Sequence, residues 1–151
     1  LLLERKSVVG TGLDISKSAI KVAKINAKIQ QIENRIKFIN SDIDKFFYGK
    51  YDLIVSNPPY IKKSKISTLK EDVKNFEPVL ALDGGLDGSE KLNKVIKKTS
   101  YLLKRNGIFV LEIDNYQLHN VKNIMRKYNF YINNIIKDYA QNYRCIISTK
   151  Y

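Results

Sequence analysis

Short apolar runs and segments of helical period alternate along the chain, the pattern of a parallel sheet covered by helices. Ser7-Val8-Val9-Gly10-Thr11-Gly12-Leu13 reads as a strand ending at Asp14, and the preceding Leu1 to Lys6 reads as the end of a helix. Ser16 is placed to cap a helix running to about Gln31, with Ala19, Ile20, Val22, Ala23, Ile25 and Ala27 at its apolar positions. Ile36 to Asn40 is a second short strand, closed by Ser41-Asp42. Tyr51-Asp52-Leu53-Ile54-Val55-Ser56 is an apolar run between turn formers, which predicts a buried parallel strand in the centre of the sheet. Residues 61–87 are expected to be irregular, with Pro78 and the turn Asp83-Gly84-Gly85. A helix is predicted from near Ser89 to about Lys104, stopped by Asn106-Gly107. Ile108 to Ile113 then reads as a strand and residues 117–128 as an amphipathic helix. Tyr131–Lys137 and Tyr143–Thr149 are joined by a short link, so they are expected to pair antiparallel.

Composition narrows the function classes. At 151 residues the chain is expected to form one domain with a substantial core. No apolar stretch approaches the roughly 20 residues that span a bilayer. Cys145 is the single cysteine, which excludes an intrachain disulfide, and its apolar strand setting suits a buried structural thiol. His119 is the single histidine and has no acidic or serine neighbour close in sequence, so a solvated or packing role fits it better than a zinc site or a triad. The net charge of +12 favours an anionic partner, yet lysine recurs everywhere beside isoleucine and asparagine. Lys62-Lys63-Ser64-Lys65 is the one local basic cluster beside the candidate site, and it reads as a solvated loop somewhat more readily than as a contact surface.

The candidate chemistry sits at strand ends. Asn57-Pro58-Pro59-Tyr60 stops the preceding strand abruptly, because proline lacks the N–H that continues a ladder and fixes its own φ. Ligands bind at the carboxyl edge of open α/β sheets. Asn57 and the Pro58 carbonyl offer two acceptors, and Tyr60 offers a flat face. Such a site can hold a planar NH2 group with the nitrogen lone pair pointing outward. A plain strand-ending turn is the competing reading. Asp14 suits the two hydroxyls of a ribose and Asp42 an adenine amino group, although either can serve as a helix cap or turn former. Gly10-Thr11-Gly12 lies inside a strand rather than opening a helix, which argues against a phosphate or methionine cradle. Glu112, near the end of a neighbouring strand, is a secondary candidate for shaping the electrostatics of the site.

With these residues in place, the chain resembles the release-factor glutamine methyltransferases. The likeness is carried by Leu13-Asp14-Ile15-Ser16, Ser41-Asp42, Asp52 through Ile61, Phe76-Glu77-Pro78, Ala81-Leu82-Asp83-Gly84-Gly85-Leu86-Asp87-Gly88, and Leu111-Glu112-Ile113 followed by Gln117. It implies a Rossmann-like α/β sheet of the class I S-adenosylmethionine-dependent methyltransferases. It also implies methyl transfer to the glutamine amide in the Gly-Gly-Gln motif of peptide chain release factors, in the cytoplasm, without specific nucleic-acid binding. Carried over by position, Asp14 and Ile15 would hold the ribose end of the cofactor, and Asp42 and Ile43 would border its adenine. Asn57 would touch cofactor and glutamine, with Pro58, Pro59 and Tyr60 completing the amide pocket. The family's Asp-x-Gly-x-Gly-x-Gly loop and the strand before it have no counterpart in these residues, nor does its N-terminal helical domain. The chain is therefore expected to be the C-terminal portion of a catalytic domain, with two strand edges left unpaired. An adenine methyltransferase acting on DNA or RNA, and a non-catalytic remnant, are the alternatives.

Overall fold

Residues 1–69 and 78–151 are described by a computed structural model, and they fall into two units, Leu1–Phe47 and Tyr48–Tyr151. Phe76 and Glu77, which contribute to the family likeness, lie outside the described residues. Among the described residues no helix is long and apolar enough to cross a membrane.

The first unit is a parallel β–α–β crossover. β1 (Gly10–Asp14) pairs with β2 (Ile36–Asn40) in register from Gly10↔Ile36 to Asp14↔Asn40, and α1 (Lys17–Ile29) connects them. Ser16 is the N-cap of α1, its hydroxyl accepting from the Ala19 N–H at 3.2 Å. Ile20 and Ala27 are buried, whereas Val22 and Ile25 are 55% and 50% exposed. Successive helical residues turn by about 100°, so Ile20 and Val22 point to opposite sides and one sheet cannot cover both. Gly12 sits opposite Phe38, where a Cβ would lie 2.7 Å from the ring, so this glycine makes room for an aromatic neighbour across the ladder. Residues 1–8 form turns rather than the expected helix end, with one helical-type bond from the Arg5 N–H to the Leu1 carbonyl. The Arg35 guanidinium gathers this segment, donating to the carbonyls of Leu2 at 2.8 Å and of Arg5, Lys6 and Val8 at 3.2 Å.

The second unit is a mixed four-stranded sheet in the order β3-β4-β6-β5. β3 (Tyr51–Ser56) runs parallel to β4 (Leu103–Glu112), joined through α2 (Glu90–Leu102). α3 (Leu118–Lys127) leads to β5 (Phe130–Lys137), which pairs antiparallel with β6 (Tyr143–Lys150) as expected. β6 also pairs antiparallel with β4. Leu92 and Ile96 from α2, Phe109, Leu111 and Ile113 from β4 and its end, and Val121 and Met125 from α3 are fully buried. The Phe109 and Phe130 rings meet at 5.6 Å in a tilted arrangement.

Three expectations are corrected here. β3 is not a central buried strand: it is an edge of its sheet, and Val55 is 65% exposed. Residue types report apolarity but not how many neighbours a strand has. Asn106-Gly107 does not end the helix, because α2 stops at Leu102 and Leu103 already pairs with Tyr51. The next matched pair is Leu53↔Ile108, so the residues between form a bulge, with Asn106 at φ +62°. Residues 61–87 are not wholly irregular, since Lys63–Ile66 and Val79–Leu82 form single helical turns.

Candidate functional site

The candidate residues of the first unit lie at the carboxyl ends of its paired strands. Asp14 ends β1 and is exposed, and its Oδ1 accepts from the Ser16 N–H at 2.7 Å. Asp42 follows β2, and its Oδ1 accepts from the Asp44 N–H at 3.0 Å, capping the short 3-10 turn Ile43–Lys45. Each aspartate is thus a turn former through one oxygen. The Oδ2 of each has no protein donor among the described residues, so turn formation leaves both carboxylates able to accept from a ligand. Asn40 fixes their spacing: its Nδ2 donates to the carbonyls of Asp14 at 3.0 Å and Ile15 at 2.8 Å. The Ser41 N–H adds a bond to the Asp14 carbonyl at 3.0 Å. Ile15 is 49% exposed at the mouth of this turn, and Ile43 is half-buried.

In the second unit, β3 delivers Asn57 to the carboxyl edge, and its last matched pair is Ser56↔Leu111. Pro58 and Pro59 carry no N–H and end the ladder there. Asn57 is exposed, Pro58 buried, and Pro59 and Tyr60 half-buried. Neither the Asn57 side chain nor the Pro58 carbonyl has a hydrogen-bond partner among the described residues. Two acceptors therefore have no protein donor among the described residues, one at the exposed Asn57 and one at the buried Pro58, on a stretch of chain stiffened by the two prolines.

The glycine-rich segment after Leu82 grips the end of this motif through its main chain. The Ile61 N–H donates to the Leu82 carbonyl at 3.0 Å, and the Gly84 N–H returns a bond to the Ile61 carbonyl at 2.8 Å. A Cβ on Gly84 would lie 2.8 Å from Tyr60 Cα, and one on Gly88 (φ +80°) would lie 2.7 Å from the Tyr60 carbonyl oxygen. The segment's acidic residues bind their own loop. Asp83 Oδ1 accepts from the Gly85 N–H at 2.9 Å, and Asp87 accepts from the Ser89 hydroxyl at 2.7 Å, which holds the Asp87 carboxyl below its usual value.

Tyr60 is held through its main chain and lies in the field of Glu112. Burial raises its phenol above the ordinary value, and the nearby negative charge of Glu112 raises it further. The phenol therefore stays neutral. The Tyr60 carbonyl accepts from Gln117 Nε2 at 3.2 Å. Cys145 is half-buried rather than fully buried and stands opposite Glu112 on β6; burial, then that carboxylate, pushes its thiol up. His119 is exposed, as are Lys62, Lys63, Ser64 and Lys65.

Sequence reasoning missed Asn40 and Gln117 as organisers, because each acts on main-chain carbonyls distant in sequence. The Asp114…Gln117 spacing was a usable signal, since it is that of a capping box, and the box is formed.

Residues 2–148 match the family described as a methyltransferase domain. The release factor glutamine methyltransferase of Fusobacterium nucleatum is 44% identical over 97% of this chain, which covers 42% of that protein. The enzyme of the same name from Clostridium acetobutylicum is 36% identical over 91% of this chain and 49% of its own length. The chain thus spans less than half the length of these curated relatives. The crystal structure of ribosomal protein L11 methylase from Lactobacillus delbrueckii superposes with a TM-score of 0.68 at 19% identity, covering 96% of this chain and 59% of that one. That likeness concerns the fold, a mixed α/β arrangement of the class I methyltransferase type. With open acceptors at the carboxyl edges of its parallel strands, this chain belongs to the methyltransferase domain family.

Proposed function

We propose that the chain is the C-terminal part of the catalytic domain of a release-factor glutamine methyltransferase, acting on the side-chain amide of the glutamine in Gly-Gly-Gln. The observation that carries the reading is the pair of open acceptors, Asn57 Oδ1 and the Pro58 carbonyl, on a loop fixed by two prolines and gripped from behind at Tyr60. A primary amide has two hydrogens to place on two such acceptors. Its nitrogen is a poor nucleophile because the lone pair is delocalised into the carbonyl. Accepting both hydrogens orients the amide and raises electron density on nitrogen. Tyr60, its main chain held by Gln117, supplies a flat wall for the amide plane. Positioning supplies most of the rate, and the proton leaves to water after transfer.

The residues of the first unit fit S-adenosylmethionine through the chemistry of their donor set. Asp14 Oδ2 would accept from ribose hydroxyls and Asp42 Oδ2 from the adenine amino group, beside Ile15 and Ile43. When bound, this cofactor supplies a methyl group on a sulfonium and a neutral thioether leaving group.

The test is incubation of the native protein containing this chain with methyl-labelled cofactor, a release factor bearing Gly-Gly-Gln, and DNA and RNA in parallel. Label should enter the release factor and disappear when its glutamine is replaced by alanine. The net charge of +12 favours a nucleic-acid substrate as the second reading, and label on DNA or RNA would install it.

A further inference from the structure

Gln117 makes three hydrogen bonds that use its whole side-chain amide. Its Nε2 donates to the Gly88 carbonyl at 2.8 Å and to the Tyr60 carbonyl at 3.2 Å, while its Oε1 accepts from the Asp114 N–H at 3.2 Å. These partners come from three separate segments: the end of the Asn-Pro-Pro-Tyr loop, the glycine-rich segment, and the turn that follows β4. Gln117 is itself fixed, because its own N–H donates to the Asp114 carbonyl at 2.9 Å and its residue closes the capping box on Asp114.

We infer that Gln117 is the positioning residue of the acceptor loop, and that its neutral amide sets where Asn57 and Pro58 present their acceptors. The inference rests on the glutamine-methyltransferase reading for its kinetic part, while its structural part stands by itself. The chemistry is selective. Two carbonyl oxygens converge on one side of the amide and one N–H faces the other, so the group must offer two donors and one acceptor. Glutamate has nearly the same shape but no donor, and it would aim a carboxylate at two carbonyl oxygens. Asparagine keeps the donors but is one methylene too short to reach from the same turn. Methionine keeps the length and loses every hydrogen bond. Catalysis by alignment is sensitive to such a loss, since a shift of about 1 Å can cost on the order of 10²-fold in rate.

The experiment compares Gln117→Glu, Gln117→Met and the unchanged protein by amide hydrogen exchange, by thermal unfolding and by methyl-transfer kinetics on a Gly-Gly-Gln release factor. The strap predicts faster exchange at the Ile61, Lys63 and Gly84 N–H groups, by roughly tenfold or more, with exchange on β5 and β6 unchanged. It also predicts a fall in kcat of roughly 10–100-fold in both variants, larger in Gln117→Glu, with the KM for cofactor within about twofold of the original. A purely structural role would instead lower the unfolding temperature and speed exchange throughout the sheet. Unaltered exchange at Ile61 and Gly84 would overturn the strap, and faster exchange there with normal kcat would overturn its positioning role. If the unchanged protein transfers no methyl group to the release factor, the proposed function fails, and the exchange pattern alone still decides whether Gln117 holds the loop.

Discussion

The two units carry comparable candidate residues on interiors built in different ways. In Leu1–Phe47 the buried apolar side chains among the described residues are Ile20, Ala27 and Phe46, and polar tethers do much of the ordering: Arg35 across residues 2–8 and Asn40 across the β1 turn. In Tyr48–Tyr151 two helices and β4 bury a continuous set of large side chains, and polar tethers such as Gln117 add to an interior that is already packed. An interior with few buried groups has little apolar area with which to offset chain entropy. The first unit should therefore open at lower free energy than the second. The difference suits the proposed roles. A nucleoside can be held by carboxylates on a segment that tightens when it binds, whereas orienting an amide for attack needs a frame that is rigid beforehand.

The largest expected effect lies in the second unit's core. Phe109→Ala should lower stability by about 3–5 kcal/mol, read by urea unfolding, because it leaves a cavity against Phe130. A loss below 1 kcal/mol would break the contrast between the interiors. Asn57→Ala should reduce kcat by about 10²–10³-fold, or roughly 2.7–4 kcal/mol, with much less effect on cofactor affinity. Asp14→Ala should do the reverse, weakening cofactor binding by about 2–3 kcal/mol in calorimetry. If the two variants damaged the same parameter, the division of labour between the units would be lost. Arg35→Ala should destabilise the first unit by about 1.5–3 kcal/mol, with amide exchange rising across residues 2–14 and unchanged on β6.

The smallest effect is electrostatic. Arg144 Nε donates to Asp138 Oδ2 at 2.9 Å, and this hydrogen bond holds the half-buried Asp138 carboxyl below its usual value. A depressed pKa stabilises the folded state above the unfolded value and loses that contribution as pH falls through the folded one. The β5–β6 connection should thus loosen slightly below about pH 4, and Asp138→Asn should remove that part of the pH dependence in thermal melts. A variant with an unaltered acid limb would show that the pair contributes nothing.

Where the local pattern decides the outcome, the sequence is easily read. β2 and β3 have the predicted limits, and Ser16 caps α1, because apolar alternation and capping are properties of a few adjacent residues. Asn106-Gly107 misleads because a residue at positive φ ends helices and makes bulges alike, and only the pairing of Leu103 with Tyr51 separates the two. The exposure of Val55 and the packing of Gly12 on Phe38 depend on which strands become neighbours. At the candidate site, Asp14, Asp42 and Asn57 to Tyr60 stand out by type and place. Arg35 and Asn40 look like ordinary surface residues until the carbonyls they serve are folded beside them, and Gln117 shows its capping-box spacing but not its bonds to Tyr60 and Gly88.

The grip on Tyr60 has a consequence for how this loop can evolve. Gly84 and Gly88 leave room for its Cα and its carbonyl, and Gln117 donates to that carbonyl, all atoms that every residue possesses. The main-chain part of this frame consequently does not depend on which side chain stands at that position. On the proposed reading, a change at this one position would alter the wall beside the acceptor amide while the main chain that carries Asn57 and Pro58 keeps its anchor.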